Sequence, residues 1–124
     1  MIQRDLAARL RAVARDFPAV TVTGPRQSGK STLVRAVFPK HAYANLEAPD
    51  IRSFAAADPR AFLAGFPRGA VIDEVQRCPE LPSYLQGLID ADPAPGRWIL
   101  TGSQNLALLA SITQSLAGRT AVLH

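Results

Sequence analysis

The run Gly24-Pro25-Arg26-Gln27-Ser28-Gly29-Lys30-Ser31-Thr32 fits G-x-x-x-x-G-K-[ST], the pattern of a phosphate-binding loop. The residue types follow from the task. Glycines let the backbone curl until several N–H groups face one phosphate. A helix that starts at the loop's end adds the positive pole of its dipole. Lys30 supplies a compact cation for the β- and γ-phosphates, and the Ser31 hydroxyl is placed to ligate Mg²⁺. The flanks agree. Ala19-Val20-Thr21-Val22-Thr23 alternates and is β-branched, as a strand is, while Leu33, Val34, Val37 and Phe38 recur like one face of a helix. A strand, a glycine loop and a helix in that order demand an α/β fold.

The remaining composition sets bounds. A chain of 124 residues, 48% of them hydrophobic, is one domain at most with enough apolar mass for a core. The net charge of +4 comes almost wholly from arginine, because lysine occurs only at positions 30 and 40. A nucleotide site itself wants positive charge, so this mild excess does not argue for nucleic acid. The lone Cys78 excludes an internal disulfide and fits a reducing compartment. No apolar run approaches the ~18 residues of a membrane span, and the N-terminus lacks the apolar core of a secretory signal, so a cytoplasmic location without membrane attachment is expected.

Taken in order, residues 1–17 predict an amphipathic helix ahead of a nucleotide-binding core over 18–124. In the helix, expected over 3–16, Leu6, Leu10, Val13 and Phe17 share one face, and Arg4, Arg11 and Arg15 another. The basic face is either a solvated surface or a contact for an anionic partner. After the loop helix, Ala42–Leu46 reads as a short strand. Asp50 is a candidate cap for a helix over 51–57, and Asp58-Pro59 a cap and first residue for another that ends near Gly65. Ala70-Val71-Ile72-Asp73 is a buried-looking strand. A helix follows from about Glu80 to Asp90 with Leu81, Leu85, Leu88 and Ile89 inward. Trp98-Ile99-Leu100-Thr101 is a fourth strand, 104–116 a helix carrying Leu106, Leu109 and Leu116, and Thr120–Leu123 a candidate fifth strand. Strands alternating with helices predict a mostly parallel sheet between two helical layers, with ligands at the carboxyl ends of the strands.

The chemistry-bearing residues gather at those ends. Asp73 closes an apolar strand, where a buried carboxylate can hold the Mg²⁺ shell. Glu74 should leave the backbone in another direction and orient or deprotonate a water. A kinase, which must exclude water, would gain little from it. Thr101, with Ser103 second, is a candidate to sit between the Mg²⁺ site and the γ-phosphate; Ser103 is equally a candidate helix cap. Arg119, after Gly118, is either a surface arginine or an arginine finger offered to a neighbouring subunit in a homo-oligomer. Arg26 touches phosphate or points outward. Cys78 lies near a helix start but has no histidine or second cysteine nearby, and His41 and His124 have no zinc-like partners.

These motifs together resemble the prokaryotic AAA-type P-loop ATPases that normally carry a C-terminal domain of unknown function. The likeness rests on Thr23–Leu33, Asn45-Leu46-Glu47, Asp58–Leu63, Ile72-Asp73-Glu74-Val75-Gln76, Leu100–Ser103 and Ser115–Arg119, in that order. The resemblance implies a three-layer P-loop NTPase fold with sheet order 5-1-4-3-2. It implies a Walker A loop at 24–31, a Walker B strand at 70–74 with Glu74 catalytic, a sensor near 101–104, and Arg119 as a finger. ATP and Mg²⁺ are the expected ligands, held by Gly24, Pro25, Arg26, Gln27, Ser28, Gly29, Lys30, Ser31, Thr32 and Thr101, with Ser31 and Asp73 on the metal. The family's proteins are longer, so the expectation is that this stretch lacks the helical lid subdomain. Two functions follow: an Mg-dependent ATPase, or a non-hydrolysing nucleotide-binding remnant that acts as an interaction module. A GTPase should carry N-K-x-D, which does not occur. Nothing in the residues distinguishes a DNA client from a protein client.

Overall fold

The computed structural model describes residues 2–25 and 29–124. Its elements are α1 (Ile2–Ala14), β1 (Ala19–Thr23), α2 (Lys30–Val37), β2 (Ala42–Asn45), α3 (Pro49–Ala57), α4 (Pro59–Ala64), β3 (Ala70–Asp73), α5 (Leu81–Ala91), β4 (Trp98–Gly102), α6 (Leu106–Leu116) and β5 (Thr120–Leu123), with a single 3₁₀ turn at Val75–Arg77. The sheet runs β2-β3-β4-β1-β5 and every pairing is parallel. This is the expected order read from the other edge.

The strands explain the layers. Strand side chains alternate between faces, and a parallel sheet must cover both. Val20 and Val22 of β1, Val71 of β3 and Ile99 of β4 point to one side, where Leu10 of α1 and Val34 of α2 close over them. Ala70, Ile72, Trp98 and Leu100 point to the other, against Ala55, Phe62, Leu63, Leu81, Leu85, Ile112 and Leu116 of α3–α6. Strand β1, between β4 and β5, also buries Thr21 and Thr23. Thr21 satisfies its hydroxyl on that of Thr120 in β5, at 3.0 Å.

Three helix expectations change. Residue 48, not Asp50, precedes α3: Pro49 takes the first helical position, where its missing N–H costs nothing, and Asp50 falls in the first turn. Asp58 does cap α4, its side chain accepting the Ala61 N–H at 3.0 Å. In α5 the buried stripe is Leu81, Pro82, Leu85 and Ile89, which leaves Leu88 37% exposed. In α6 the cap is Asn105, whose Oδ1 accepts the Leu108 N–H at 2.7 Å, so Ser103 is not the cap. The helix therefore starts later than expected. Its inward residues are Leu108, Ile112, Ser115 and Leu116, and Leu106 is 86% exposed.

Helix α1 is bound to the sheet through Leu10, which is fully buried. Leu10→Ala should therefore lower unfolding stability by about 2–5 kcal/mol in urea denaturation; a loss below ~1 kcal/mol would mean that α1 is only loosely seated.

Candidate functional site

The loop after β1 is anchored at both ends. The Gly24 N–H donates to the Gly102 carbonyl at 3.2 Å, tying the loop's start to the end of β4. Gly29, immediately before α2, has φ 84°, a left-handed conformation that glycine adopts freely. Arg26, Gln27 and Ser28 lie outside the described residues. Pro25 and Gly29 are exposed, Gly24 is buried, and Thr32 faces outward on α2.

Lys30 opens α2 yet is only 6% exposed. Its Nζ donates to the Pro25 carbonyl at 3.2 Å, so the ammonium reaches across the loop, and it lies 3.7 Å from Glu74 Oε2. The next residue, Ser31, donates its hydroxyl to Asp73 Oδ2.

Asp73 ends β3 and is 2% exposed. Its carboxylate collects hydroxyls from three other elements. Ser31 of α2 and Tyr43 of β2 donate to Oδ2, the tyrosine at 2.7 Å, and Thr101 of β4 donates to Oδ1. Among the described residues no cation pairs with it, and such a buried carboxylate is tolerable when hydrogen bonds replace its lost hydration. Ser31 Oγ and Asp73 Oδ2 together make an all-oxygen donor set of the kind Mg²⁺ takes from a protein, completed by water and phosphate.

Glu74 follows with φ 57° and ψ 52°, the one non-glycine with positive φ among the described residues. Such a backbone costs on the order of 1–3 kcal/mol and persists only where its surroundings impose it. Here the Glu74 N–H donates to Thr101 Oγ1 at 3.0 Å. The kink sends the two neighbouring carboxylates different ways. Asp73 turns to the hydroxyls, and Glu74 turns to Lys30 and to Gln76, whose Nε2 donates to Oε1 at 2.8 Å. Thr101 is fully buried, and its hydroxyl serves Asp73 and the Glu74 main chain together.

Tyr43 and Gln76 are the site residues that sequence reasoning did not single out for themselves. Tyr43 shares its strand register with Val71, two residues short of Asp73, and only the pairing of β2 with β3 brings its ring within reach. Burial, and then the Asp73 carboxylate, push its phenol above the ordinary range, while the Arg35 guanidinium lies 4.0 Å from the ring centre. Ser103 gives its N–H to Gln76 and takes the Asn105 amide on its hydroxyl.

Arg119 stands elsewhere. Its carbonyl accepts the Ala19 N–H at 3.1 Å, at the start of β1, whereas the loop follows the strand's end. The two ends are about 13 Å apart at ~3.3 Å per residue. The guanidinium grips Asp90 through both carboxylate oxygens, at 2.7 and 3.0 Å, and holds that carboxyl below its usual range. Arg119 thus does not join its own chain's site. His41 bonds the Gly96 carbonyl at 2.7 Å, remote from the carboxylates.

A glycine-flanked loop with a G-x-x-x-x-G-K-S sequence, a lysine, a hydroxyl-held aspartate and a neighbouring glutamate, all at the carboxyl ends of parallel strands, define a P-loop nucleotide-binding domain. Within that class the chain belongs to the AAA domain family, whose profile matches residues 16–124. It is 39% identical over 118 residues to uncharacterized proteins of Mycobacterium bovis and Mycobacterium tuberculosis, an overlap that covers 94% of this chain and 27% of each relative. The chain thus spans about a quarter of those relatives' length. Its backbone is similar to the P-loop NTPase domain of a sigma-54 transport activator from E. coli, with TM-score 0.64 and 20% identity over 97% of this chain and 92% of that one. That likeness shows the fold. No described helix is long and apolar enough to cross a membrane.

Cys78 is a buried thiol apart from the site. It lies just ahead of α5, where a helix dipole would lower a thiol pKa, yet burial dominates and pushes the thiol up. A raised pKa keeps the thiol protonated at pH 8. Disulfide-exchange labelling of the folded protein at that pH should run roughly 10-fold or more slower than in urea; equal rates would place Cys78 at the surface.

Proposed function

We propose that this domain binds ATP with Mg²⁺ at the loop of residues 24–32 and hydrolyses it, with Glu74 activating the attacking water. The observation that carries the reading is the convergence of Lys30, Ser31, Asp73 and Glu74, from two elements distant in sequence, at one end of the sheet. Lys30 would bind the β- and γ-phosphate oxygens, leaving the Pro25 carbonyl to do so. Ser31 and Asp73 would hold the Mg²⁺, which when bound supplies charge neutralisation across those phosphates. Glu74 Oε2 would orient a water and accept its proton as the water oxygen attacks phosphorus and the terminal phosphoryl leaves ADP. Thr101 holds both carboxylate residues in place, beside where the γ-phosphate would lie.

Lys30 stands 3.7 Å from Glu74 Oε2. A triphosphate competes for that ammonium and releases the carboxylate, so the base becomes free only when its substrate has arrived. Arg119, at the opposite end of the strands from its own site, can act as a finger only on another copy of the chain, which would make the active form a homo-oligomer. Neither a DNA nor a protein client is favoured.

Calorimetry with Mg-ATP should give saturable binding that Lys30→Ala abolishes; unchanged binding in that variant would remove the loop assignment. Glu74→Gln should keep ATP affinity and lose about 10²–10⁴-fold in turnover. Bound ATP with no phosphate release from the wild type would instead favour the non-hydrolysing reading. For the finger, Arg119→Ala and Lys30→Ala, each inactive alone, should recover part of the turnover when mixed, because a mixed interface joins an intact loop to an intact arginine. Full activity of Arg119→Ala alone would reduce that residue to its pair with Asp90.

A further inference from the structure

Gln76 stands two residues beyond Glu74 on the 3₁₀ turn Val75–Arg77. Both ends of its amide are engaged. Nε2 donates to Glu74 Oε1 at 2.8 Å, and Oε1 accepts the Ser103 N–H at 3.2 Å. An amide does both without adding charge. Its path runs over Gly102, where a Cβ would come within 3.0 Å of Gln76 Oε1 and 2.5 Å of Leu108 Cδ2. A side chain at 102 would therefore push the amide aside.

The Glu74 backbone is strained, so its carboxylate depends on its contacts for direction. One contact, Lys30, is surrendered when a triphosphate binds. The other among the described residues is Gln76, whose hydrogen-bond partners there, Glu74 and Ser103, lie outside the loop of residues 24–32. With Oε1 held by the amide, Oε2 is the oxygen left for water.

We propose that Gln76 is a positioning residue for Glu74, and that it couples the catalytic carboxylate to the turn between β4 and α6 through the Ser103 N–H. The inference rests on the reading of Glu74 as the group that activates water. A shift of the 102–105 turn, whatever drives it, is then passed to the carboxylate by one side chain. Nucleotide affinity should be left alone, because among the described residues Gln76 bonds Glu74 and Ser103 and not Lys30.

The test compares ATP affinity by calorimetry with kcat and KM from phosphate release, for wild type, Gln76→Leu, Gln76→Glu and Glu74→Gln. Gln76→Leu should lower kcat about 10- to 100-fold, the scale of an ångström-sized misplacement, with ATP affinity unchanged. Gln76→Glu keeps an acceptor for the Ser103 N–H but sets a second carboxylate against Oε1, and should fall at least as far. An unaltered kcat in Gln76→Leu while Glu74→Gln is inactive overturns the positioning role alone. Wild-type turnover in Glu74→Gln overturns the reading beneath it. Loss of affinity and kcat together in Gln76→Leu overturns the proposal in favour of a structural role. A second measurement needs no turnover. The urea midpoint shifts of Gln76→Leu and Glu74→Ala should be non-additive in the double variant, and additive shifts overturn the pairing.

Discussion

The Asp73 carboxylate is the point on which the site turns. It is buried at the end of an interior strand, and an unpartnered charge there would cost several kcal/mol. Hydroxyls from α2, β2 and β4 supply what water cannot. Each donor is delivered by a different element, so the carboxylate is satisfied only when those elements are assembled in register around β3. The carboxylate proposed to hold the metal is also the group that ties four pieces of the fold together.

Thr101 extends the same logic by one residue. Its hydroxyl donates to Asp73 and accepts from the Glu74 main chain, which fixes the corner where two adjacent carboxylates part company. A regular strand would also send neighbours to opposite faces, but one of them would then enter the helical layer. The left-handed Glu74 keeps both at the strand's end, one toward the hydroxyls and one toward the lysine. Backbone strain is concentrated at Glu74, where the surrounding hydrogen bonds can sustain it.

The sheet order was legible because its causes are local and repetitive. Apolar strands flanked by amphipathic helices permit few packings, and right-handed parallel crossovers leave fewer. The strand–loop–helix unit was legible for a different reason: its glycines, lysine and serine lie within nine residues, so their spacing alone points to the fold class. Helix starts were less legible where proline or asparagine competed for the cap. Pro49 displaced Asp50, and Asn105 displaced Ser103 and moved the buried stripe of α6 onto Leu108 and Ile112. A cap depends on which side chain meets the second or third N–H, and neighbouring polar residues are equivalent candidates until the chain's path is known.

Residue order alone thus settles the strand–loop–helix unit, the alternation that makes the sheet parallel, and the presence of Lys30, Asp73 and Glu74 at its ligand-bearing end, since each follows from contiguous residues or a simple period. The partners of those residues come from contacts between segments far apart in the chain. Tyr43 reaches Asp73 through the β2–β3 register, Gln76 spans from Glu74 to Ser103 over a glycine, and Arg119 is held at the opposite end of the strands by Asp90. No period or motif encodes such meetings, because they depend on how strands align and helices close over them.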